Sequence, residues 1–216
     1  MSESALSLVI ACVALGLSAY TFWWTALRRG DVKMTQPTMI GLGFRTEKGK
    51  NQVFVRSMLF ATGKRGGVVE NMYTRVRHGE RAQNFSIWVH GNAPNMTRGA
   101  GLHVGEAGVT ANFHFLLRPD EQEFEVTAGT YSVELFARVL GHKGEVKISV
   151  SEVDVTPSML GMRGGSFGIQ FDWAPDSGRY VGHPSAQGPR ISPEELERLV
   201  TQGITRPGVR TDEIHP

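Results

Sequence analysis

The side chains best suited to metal chemistry lie in the stretch HVGEAGVTANFH, which contains His103, Glu106 and His114. Imidazole and carboxylate groups bind zinc, but a metal site requires three or four such ligands to converge, each oriented by a further hydrogen bond. Strand residues separated by glycine turns can converge, yet this spacing does not demand it. We therefore interpret the three as scattered half-buried or surface residues. A metal-dependent enzyme built on them is the third of three functional hypotheses.

Motifs of the common enzyme classes are missing from the sequence. It contains no nucleophile elbow, phosphate-binding loop, dinucleotide fingerprint or zinc-finger spacing. The segment GKRGG at 63–67 lacks the Lys-Ser/Thr arrangement and the following helix of a phosphate loop, so we predict a hairpin turn there. A formal net charge of +2 gives no basis for a nucleic-acid-binding surface. We predict a non-enzymatic protein with no cofactor and no nucleic-acid partner.

A more informative set of side chains lies on the predicted hairpin ENMYTRVRHGERAQNFSIWVH, residues 70–90. Mixtures of aromatic, arginine and amide side chains are typical of recognition surfaces. Two structural alternatives stay open, because Trp88 is either covered by the C-terminal tail or, with the faces reversed, a core tryptophan. Strand alternation gives the hairpin one apolar face, and the opposite face supplies the candidate binding residues Tyr73, Arg75, Arg77, Asn84, Trp88 and His90.

The elements that must position these side chains are short strands. Between residues 37 and 156, apolar and polar residues alternate with a period of two between glycine-rich turns, as in EVKISVSEV and TYSVELFARV. In the first of these, Val146, Ile148 and Val150 are predicted to share one apolar face. Such alternation is typical of antiparallel strands that are buried on one side. About seven or eight strands in this region predict a mainly β chain folded as a sandwich.

The segment TAGTYSVEL, residues 127–135, resembles the lead into strand F of immunoglobulin-like domains. The resemblance implies an immunoglobulin-like antiparallel β-sandwich. It also implies that the Tyr131 hydroxyl bonds to upstream backbone as a tyrosine corner. Val133 stands where antibody domains have cysteine, so no inter-sheet disulfide is implied. The segments ENMYTRVRHGERAQNFSIWVHG and GLHVGEAGVTANFHFLL resemble single-pass bacterial membrane proteins of no known activity.

A membrane anchor is predicted near the N-terminus, where residues 5–27 carry no charge. As a helix they would extend roughly 34 Å, which is enough to cross a hydrocarbon core of about 30 Å. Tyr20, Trp23 and Trp24 lie towards one end of the run, and aromatic rings prefer the lipid headgroup region. We therefore predict one transmembrane helix that contacts the lipid bilayer. The alternative, a buried core helix, would need an uncharged surface all round inside a β-rich domain.

Basic residues set the predicted orientation of this anchor. Arg28 and Arg29 follow the apolar run, and no Lys or Arg precedes it. By the positive-inside rule the N-terminus lies outside and the domain lies in the cytoplasm, attached to the inner membrane. The single cysteine, Cys12, allows no intrachain disulfide and agrees with a reducing compartment. The missing basic region also disfavours a secretory signal peptide, and LVIAC is a poor match to a lipobox for the same reason.

The region from residue 158 onward is rich in Gly, Pro and Ser, and we predict that it is irregular. A short helix is predicted over 193–202, with Ser192 as its N-cap and Gly203 at its end. Its small apolar stripe docks either on the sandwich of the same chain or on a partner. The predicted division is an anchor with its basic flank, a β-sandwich and a tail, at 1–33, 34–157 and 158–216.

These observations favour a binding or scaffolding module that is anchored to the cytoplasmic face of the membrane and engages a protein partner. An exported module that binds carbohydrate or cell envelope is the alternative, and it requires the anchor to lie the other way round. Neither the partner nor the oligomeric state follows from the sequence.

Overall fold

The computed structural model describes residues 3–27, 30–45, 51–91, 96–122, 125–160, 168–185 and 193–201. In this part of the chain, helix α1 (Glu3–Phe22) continues into a π-helical turn (Trp23–Leu27), and the later helices are α2 (Pro157–Leu160) and α3 (Pro193–Thr201). The strands are β1 (Val32–Met34), β2 (Met39–Arg45), β3 (Asn51–Ala61), β4 (Gly67–His78), β5 (Arg81–Phe85), β6 (Ile87–His90), β7 (Thr97–Arg98), β8 (Leu102–Val104), β9 (Val109–Leu116), β10 (Gly129–Val139), β11 (Glu145–Val155), β12 (Gly168–Ala174) and β13 (Arg179–Ser185).

Helix α1 is apolar on every side and contributes nothing to the core of the domain. None of its residues is buried. The stretch Glu3–Ala26 is long and apolar enough to cross a membrane. Because its surface is exposed throughout, the alternative of a buried core helix is wrong.

The strands form two antiparallel sheets, which confirms the predicted mainly β, two-sheet class. The first sheet has the order β13-β12-β2-β3-β9-β6-β7, with β1 also paired to β3. The second sheet has the order β11-β10-β4-β5, with β8 also paired to β4. Sequential neighbours such as β3 and β4 lie in different sheets, so the two halves of the sandwich are tied together by chain crossings.

The main core lies between the two sheets, and β10 shows how the sequence pattern builds it. Tyr131, Val133 and Leu135 alternate inward and are fully buried, as the period-two pattern predicts. A fully buried side chain of this size contributes about 1.5–3 kcal/mol through removal of its apolar surface from water. The Tyr131 hydroxyl donates to the Thr127 carbonyl oxygen at 3.0 Å and accepts from the Thr127 N–H at 2.8 Å. The predicted hydrogen bond to upstream backbone is therefore present.

The predicted common face of Val146, Ile148 and Val150 on β11 is wrong. The register between β10 and β11 shifts at a bulge between Leu135 and Phe136, and an extra residue in one strand reverses the phase of alternation. Ile148 consequently packs against the core, whereas Val150 lies on the outer face and is 49% exposed. The alternating sequence alone cannot reveal the bulge, because it carries apolar residues in both phases.

Part of the tail that was expected to be irregular is a β-hairpin. Strands β12 and β13 pair with each other, and β12 extends the first sheet through β2. The glycines that suggested irregular structure serve close packing here: a Cβ atom on Gly168 would lie 2.4 Å from the Phe44 ring. Phe171 and Ile169 are buried in the main core. The sandwich thus includes strands from beyond residue 157.

Helix α3 docks on the outer face of the first sheet, which settles the choice between its two predicted docking partners. Its range, Pro193–Thr201, confirms the short helix predicted at 193–202. The expected N-cap Ser192 and the expected helix end Gly203 lie outside the described residues. The Arg98 guanidinium donates to the Leu199 carbonyl oxygen at 3.0 Å. Leu199 is completely buried in a second apolar cluster with Ile87, Val89, Met96 and Leu116.

Candidate functional site

The outer face of the second sheet brings most of the predicted binding residues together. Strands β4, β5, β10 and β11 run side by side there, and the register makes Tyr73 the direct neighbour of Phe136 and Arg75 the direct neighbour of Glu134. Since alternate residues of paired strands project to the same side, these side chains share one surface. We call this surface the aromatic–basic face, defined by Tyr73, Arg75, Arg77, Asn84, Glu134, Phe136, Lys147 and Glu145.

A stacked aromatic pair forms the centre of the aromatic–basic face. The rings of Tyr73 and Phe136 lie 4.8 Å apart between centroids and are nearly parallel, at 6°. The Arg75 guanidinium carbon lies 5.1 Å from the Phe136 centroid, and the Lys147 ammonium lies 5.6 Å from it. Each such cation–π contact contributes about 0.5–1 kcal/mol at an exposed site. Two cations thus lie close to the stacked rings.

Glu134 is the buried anion of the face and holds two of its cations. Lys147 Nζ donates to Oε1 of Glu134 at 2.6 Å, and Arg77 Nε donates to Oε2 at 3.1 Å. The hydrogen bond from Lys147 is the largest cause of a lowered pKa for the Glu134 carboxyl group, and Arg77 adds to it against the opposing effect of burial. The carboxylate is therefore ionised at neutral pH, with both oxygens occupied.

The remaining polar contacts fix the orientation of the exposed side chains. The Tyr73 hydroxyl donates to Oε2 of Glu145 at 2.7 Å. Burial, followed by this hydrogen bond, raises the pKa of the Tyr73 phenol. Arg75 Nε donates to Oδ1 of Asn84 at 2.9 Å. Side chains that are already held in one conformation lose less entropy when a partner binds.

Trp88 and His90 do not belong to the aromatic–basic face, which corrects the predicted set. The chain crosses from the second sheet to the first around Ser86, between β5 and β6, and Trp88 then points into the main core with 1% exposure. A Cβ atom on Gly99 would lie 2.1 Å from its ring. The alternative of a core tryptophan is therefore correct. His90 is half-buried, with its ring centroid 5.6 Å from that of Trp88, and burial lowers its pKa.

The three candidate metal ligands are placed in different environments. His103 is exposed on β8 in the second sheet, and Glu106 is exposed in the turn before β9. His114 is buried on β9 in the first sheet, where its Nε2 lies 3.2 Å from the Gly91 carbonyl oxygen. Burial lowers the pKa of His114 to about 4. Across the described ranges, no three His, Cys, Asp or Glu residues form a metal-binding group.

Sequence reasoning missed four members of the aromatic–basic face: Glu134, Phe136, Glu145 and Lys147. One signal was present, since alternation on β10 placed Glu134 and Phe136 together on its polar side. What the sequence could not show is that β10 pairs with β4, about sixty residues earlier in the chain. The bulge on β11 was needed to bring Lys147 to the same face.

The predicted membrane-interface aromatics lie at the end of the apolar helix. The Tyr20 and Trp24 rings stack with 6.0 Å between centroids, and the Trp23 and Trp24 rings are 6.3 Å apart. All three side chains are exposed. Arg28 and Arg29, the basic residues predicted to flank the span, lie outside the described residues.

Comparison of the chain with protein-family models, with curated proteins and with solved structures finds no match in any of the three.

Proposed function

We propose that this protein is a non-enzymatic, single-pass membrane protein whose immunoglobulin-like sandwich binds a protein partner on the cytoplasmic side of the inner membrane. The observation that carries the proposal is the half-buried Tyr73–Phe136 stack on the outer face of the second sheet, with Arg75 and Lys147 close to it. A few residues carry most of the binding energy in protein interfaces, and tyrosine and arginine are enriched among them.

The immunoglobulin-like assignment is supported by strand pairing. The run β2-β3-β9-β6 in one sheet and β11-β10-β4-β5 in the other corresponds to the orders A-B-E-D and G-F-C-C′ of such domains. The Tyr131 hydroxyl bonds to Thr127 at the start of β10, the position that corresponds to strand F. The absence of the usual disulfide is compatible with this topology, because the core is apolar at Val133.

The membrane-anchored arrangement is supported by the exposure of α1. An apolar helix of this length that buries none of its surface needs an apolar phase around it. The basic residues Arg28 and Arg29 after the apolar run favour a cytoplasmic domain. The orientation decides between a cytoplasmic partner and the alternative of an exported envelope- or carbohydrate-binding module.

The charges of the aromatic–basic face indicate what kind of partner fits it. Both carboxylate oxygens of Glu134 already form ion pairs, one with Lys147 and one with Arg77. Among the described residues, Arg75 has contacts to aromatic rings and to Asn84 but no carboxylate partner. A partner that places an acidic side chain over Arg75, next to an apolar group on the ring pair, would match both features.

Site-specific photo-crosslinking in intact cells tests the binding face. A benzoylphenylalanine at position 73 should give discrete protein adducts on irradiation, and the same residue at position 110, which is exposed on the other sheet, should not. Introducing Arg75→Glu into the first protein should abolish its adducts. Identical adduct patterns at positions 73 and 110, or adducts that survive Arg75→Glu, would refute the proposed face.

Protease accessibility of a C-terminal tag tests the orientation. Cleavage in inside-out membrane vesicles but not in spheroplasts is the expected result. Cleavage in spheroplasts would instead place the sandwich outside the membrane and make the exported module the better hypothesis.

A further inference from the structure

A cleft of about 380 Å³ lies between the end of the apolar helix and the nearest turns of the sandwich. Its size is within the range of small-ligand sites, roughly 300–1,000 Å³. Its position is unusual because one wall belongs to the segment proposed to leave the membrane. The residues that bring functional groups to it are Trp24, Thr25, Asp31, Thr62, Lys64 and Glu106.

The cleft is built by tight contact between the start of the sandwich and the β3–β4 turn. The Asp31 N–H donates to Oγ1 of Thr62 at 2.8 Å, and the Thr62 N–H donates to the Asp31 carbonyl oxygen at 2.9 Å. A Cβ atom on Gly30 would lie only 2.0 Å from the Gly63 nitrogen. The chain at Gly30 and Asp31 therefore lies directly on the β3–β4 turn. Because the apolar helix ends only a few residues earlier, the cleft lies beside Trp24. Tryptophan rings at the end of a span lie at the depth of lipid headgroups.

Charges of both signs face the cleft without neutralising each other. Lys64 brings an ammonium group, and Asp31 and Glu106 bring carboxylates. None of the three has an ion pair within the described residues. A ligand with an anionic and a cationic group close together would satisfy both.

We infer that this cleft binds the headgroup of a phosphoethanolamine lipid. Lys64 contacts the phosphate as a point charge. The carboxylates of Asp31 and Glu106 accept hydrogen bonds from the primary ammonium, which offers three N–H donors. A choline headgroup has no N–H to donate, and a glycerol headgroup brings no cation. This inference rests on the membrane anchor of the proposed function.

Native mass spectrometry of the full chain in detergent micelles tests the inference. The micelles contain equal amounts of dihexanoyl phosphoethanolamine, phosphocholine and phosphoglycerol lipids. We expect one bound phosphoethanolamine lipid, retained about tenfold more than either competitor, as the loss of one charge-assisted hydrogen bond predicts. Lys64→Gln and Glu106→Gln should each reduce this retention about tenfold by the same reasoning. The matched controls Lys143→Gln and Glu80→Gln change exposed turn residues outside the cleft lining and should have no effect.

Equal retention of the three lipids, or equal effects of the cleft and control variants, would overturn the inference. Alkaline carbonate extraction of cell membranes separates this failure from failure of the anchor. A chain that stays in the membrane but shows no headgroup preference overturns the cleft alone. A chain that is extracted overturns the anchor and the cleft together.

Discussion

The rings of Tyr73 and Phe136 stack across β4 and β10 with their centroids 4.8 Å apart, although 63 positions separate the two residues in the chain. Arg75 and Lys147 both lie close to the Phe136 ring, and the Tyr73 hydroxyl donates a hydrogen bond to Glu145. The pair is half-buried and its orientation is fixed, and it forms the centre of the surface that we propose for recognition.

The stack should make a measurable contribution to stability. In a double-mutant cycle with Tyr73→Leu and Phe136→Leu, we expect a coupling free energy of about 0.5–1.5 kcal/mol, since leucine keeps bulk but loses the ring interaction. Thermal or urea unfolding of the full chain in micelles measures it. Pairing Tyr73→Leu with Thr110→Ala, on the other sheet, should give additive effects. A coupling no larger than in that control pair would show that the ring contact is energetically neutral.

The buried carboxylate of Glu134 should make stability depend on pH in the acid range. Its folded pKa is lowered from 4.5, so the unfolded chain binds more protons between the two pKa values. The stabilisation is complete above pH 4.5 and is lost as the pH falls through the folded pKa. Glu134→Gln should remove this slope and lower stability at pH 7, because Arg77 and Lys147 lose their common partner. Glu152→Gln, on the exposed part of β11, should leave the slope unchanged; a slope that persists in Glu134→Gln would contradict the role assigned to Glu134.

The buried His114 should give stability a second dependence on pH, caused by burial of the neutral imidazole. Burial lowers its pKa to about 4, whereas the unfolded side chain has its usual value of 6.5, so the unfolded state gains protons first as the pH falls. Stability should be undiminished above pH 6.5 and should decrease by up to about 3 kcal/mol on going to pH 4. His114→Phe should flatten this part of the profile, and His142→Gln, which changes an exposed histidine, should not. Equal profiles for the wild type and His114→Phe would argue against a buried neutral imidazole.

The close approach of Gly99 to the Trp88 ring predicts a specific effect of one added methyl group. Gly99→Ala should destabilise the chain by about 1–3 kcal/mol, because its Cβ would overlap the ring at 2.1 Å. Gly105→Ala is the matched control, since nothing lies within 4 Å of its added Cβ and its φ is not positive. Trp88→Phe should restore part of the loss in the Gly99→Ala background. Similar melting temperatures for the two alanine variants would contradict the packing described for Trp88.

Helix α3 should detach without unfolding the sandwich. Leu199 is the side chain by which α3 packs into the second apolar cluster. An unpaired charge at this position is too costly to bury in that cluster. Leu199→Glu is therefore expected to raise amide hydrogen exchange in α3 to nearly unprotected rates, while the amides of β10 keep their protection. Glu194→Ala, an exposed change in the same helix, should leave α3 protected. Loss of protection in β10 would show instead that the tail helix is part of one cooperative unit.

Three patterns that depend only on neighbouring residues were read correctly from the sequence. The apolar run of α1, the inward alternation of Tyr131, Val133 and Leu135, and the short helix α3 each belong to one element, and each element appears in the structure. Local spacing determines these features because helix and strand periodicity acts over a few residues.

Tertiary structure decided which strands meet and which face each side chain takes. Trp88 lies in an apolar run, Ile87–Val89, whose two faces are both buried, so alternation could not say that its ring points into the main core. The bulge on β11 placed Val150 on the outer face, and pairing with β2 made a strand of the glycine-rich segment that begins at Gly168, which lies against the Phe44 ring. The pairing of β4 with β10 created the aromatic–basic face from residues far apart in sequence. Amino-acid order alone determined the apolar helix, the inward alternation of β10 and the short helix α3. Register, sheet membership and the composite face arose from non-local packing, whose free energy depends on contacts that no short window of sequence contains.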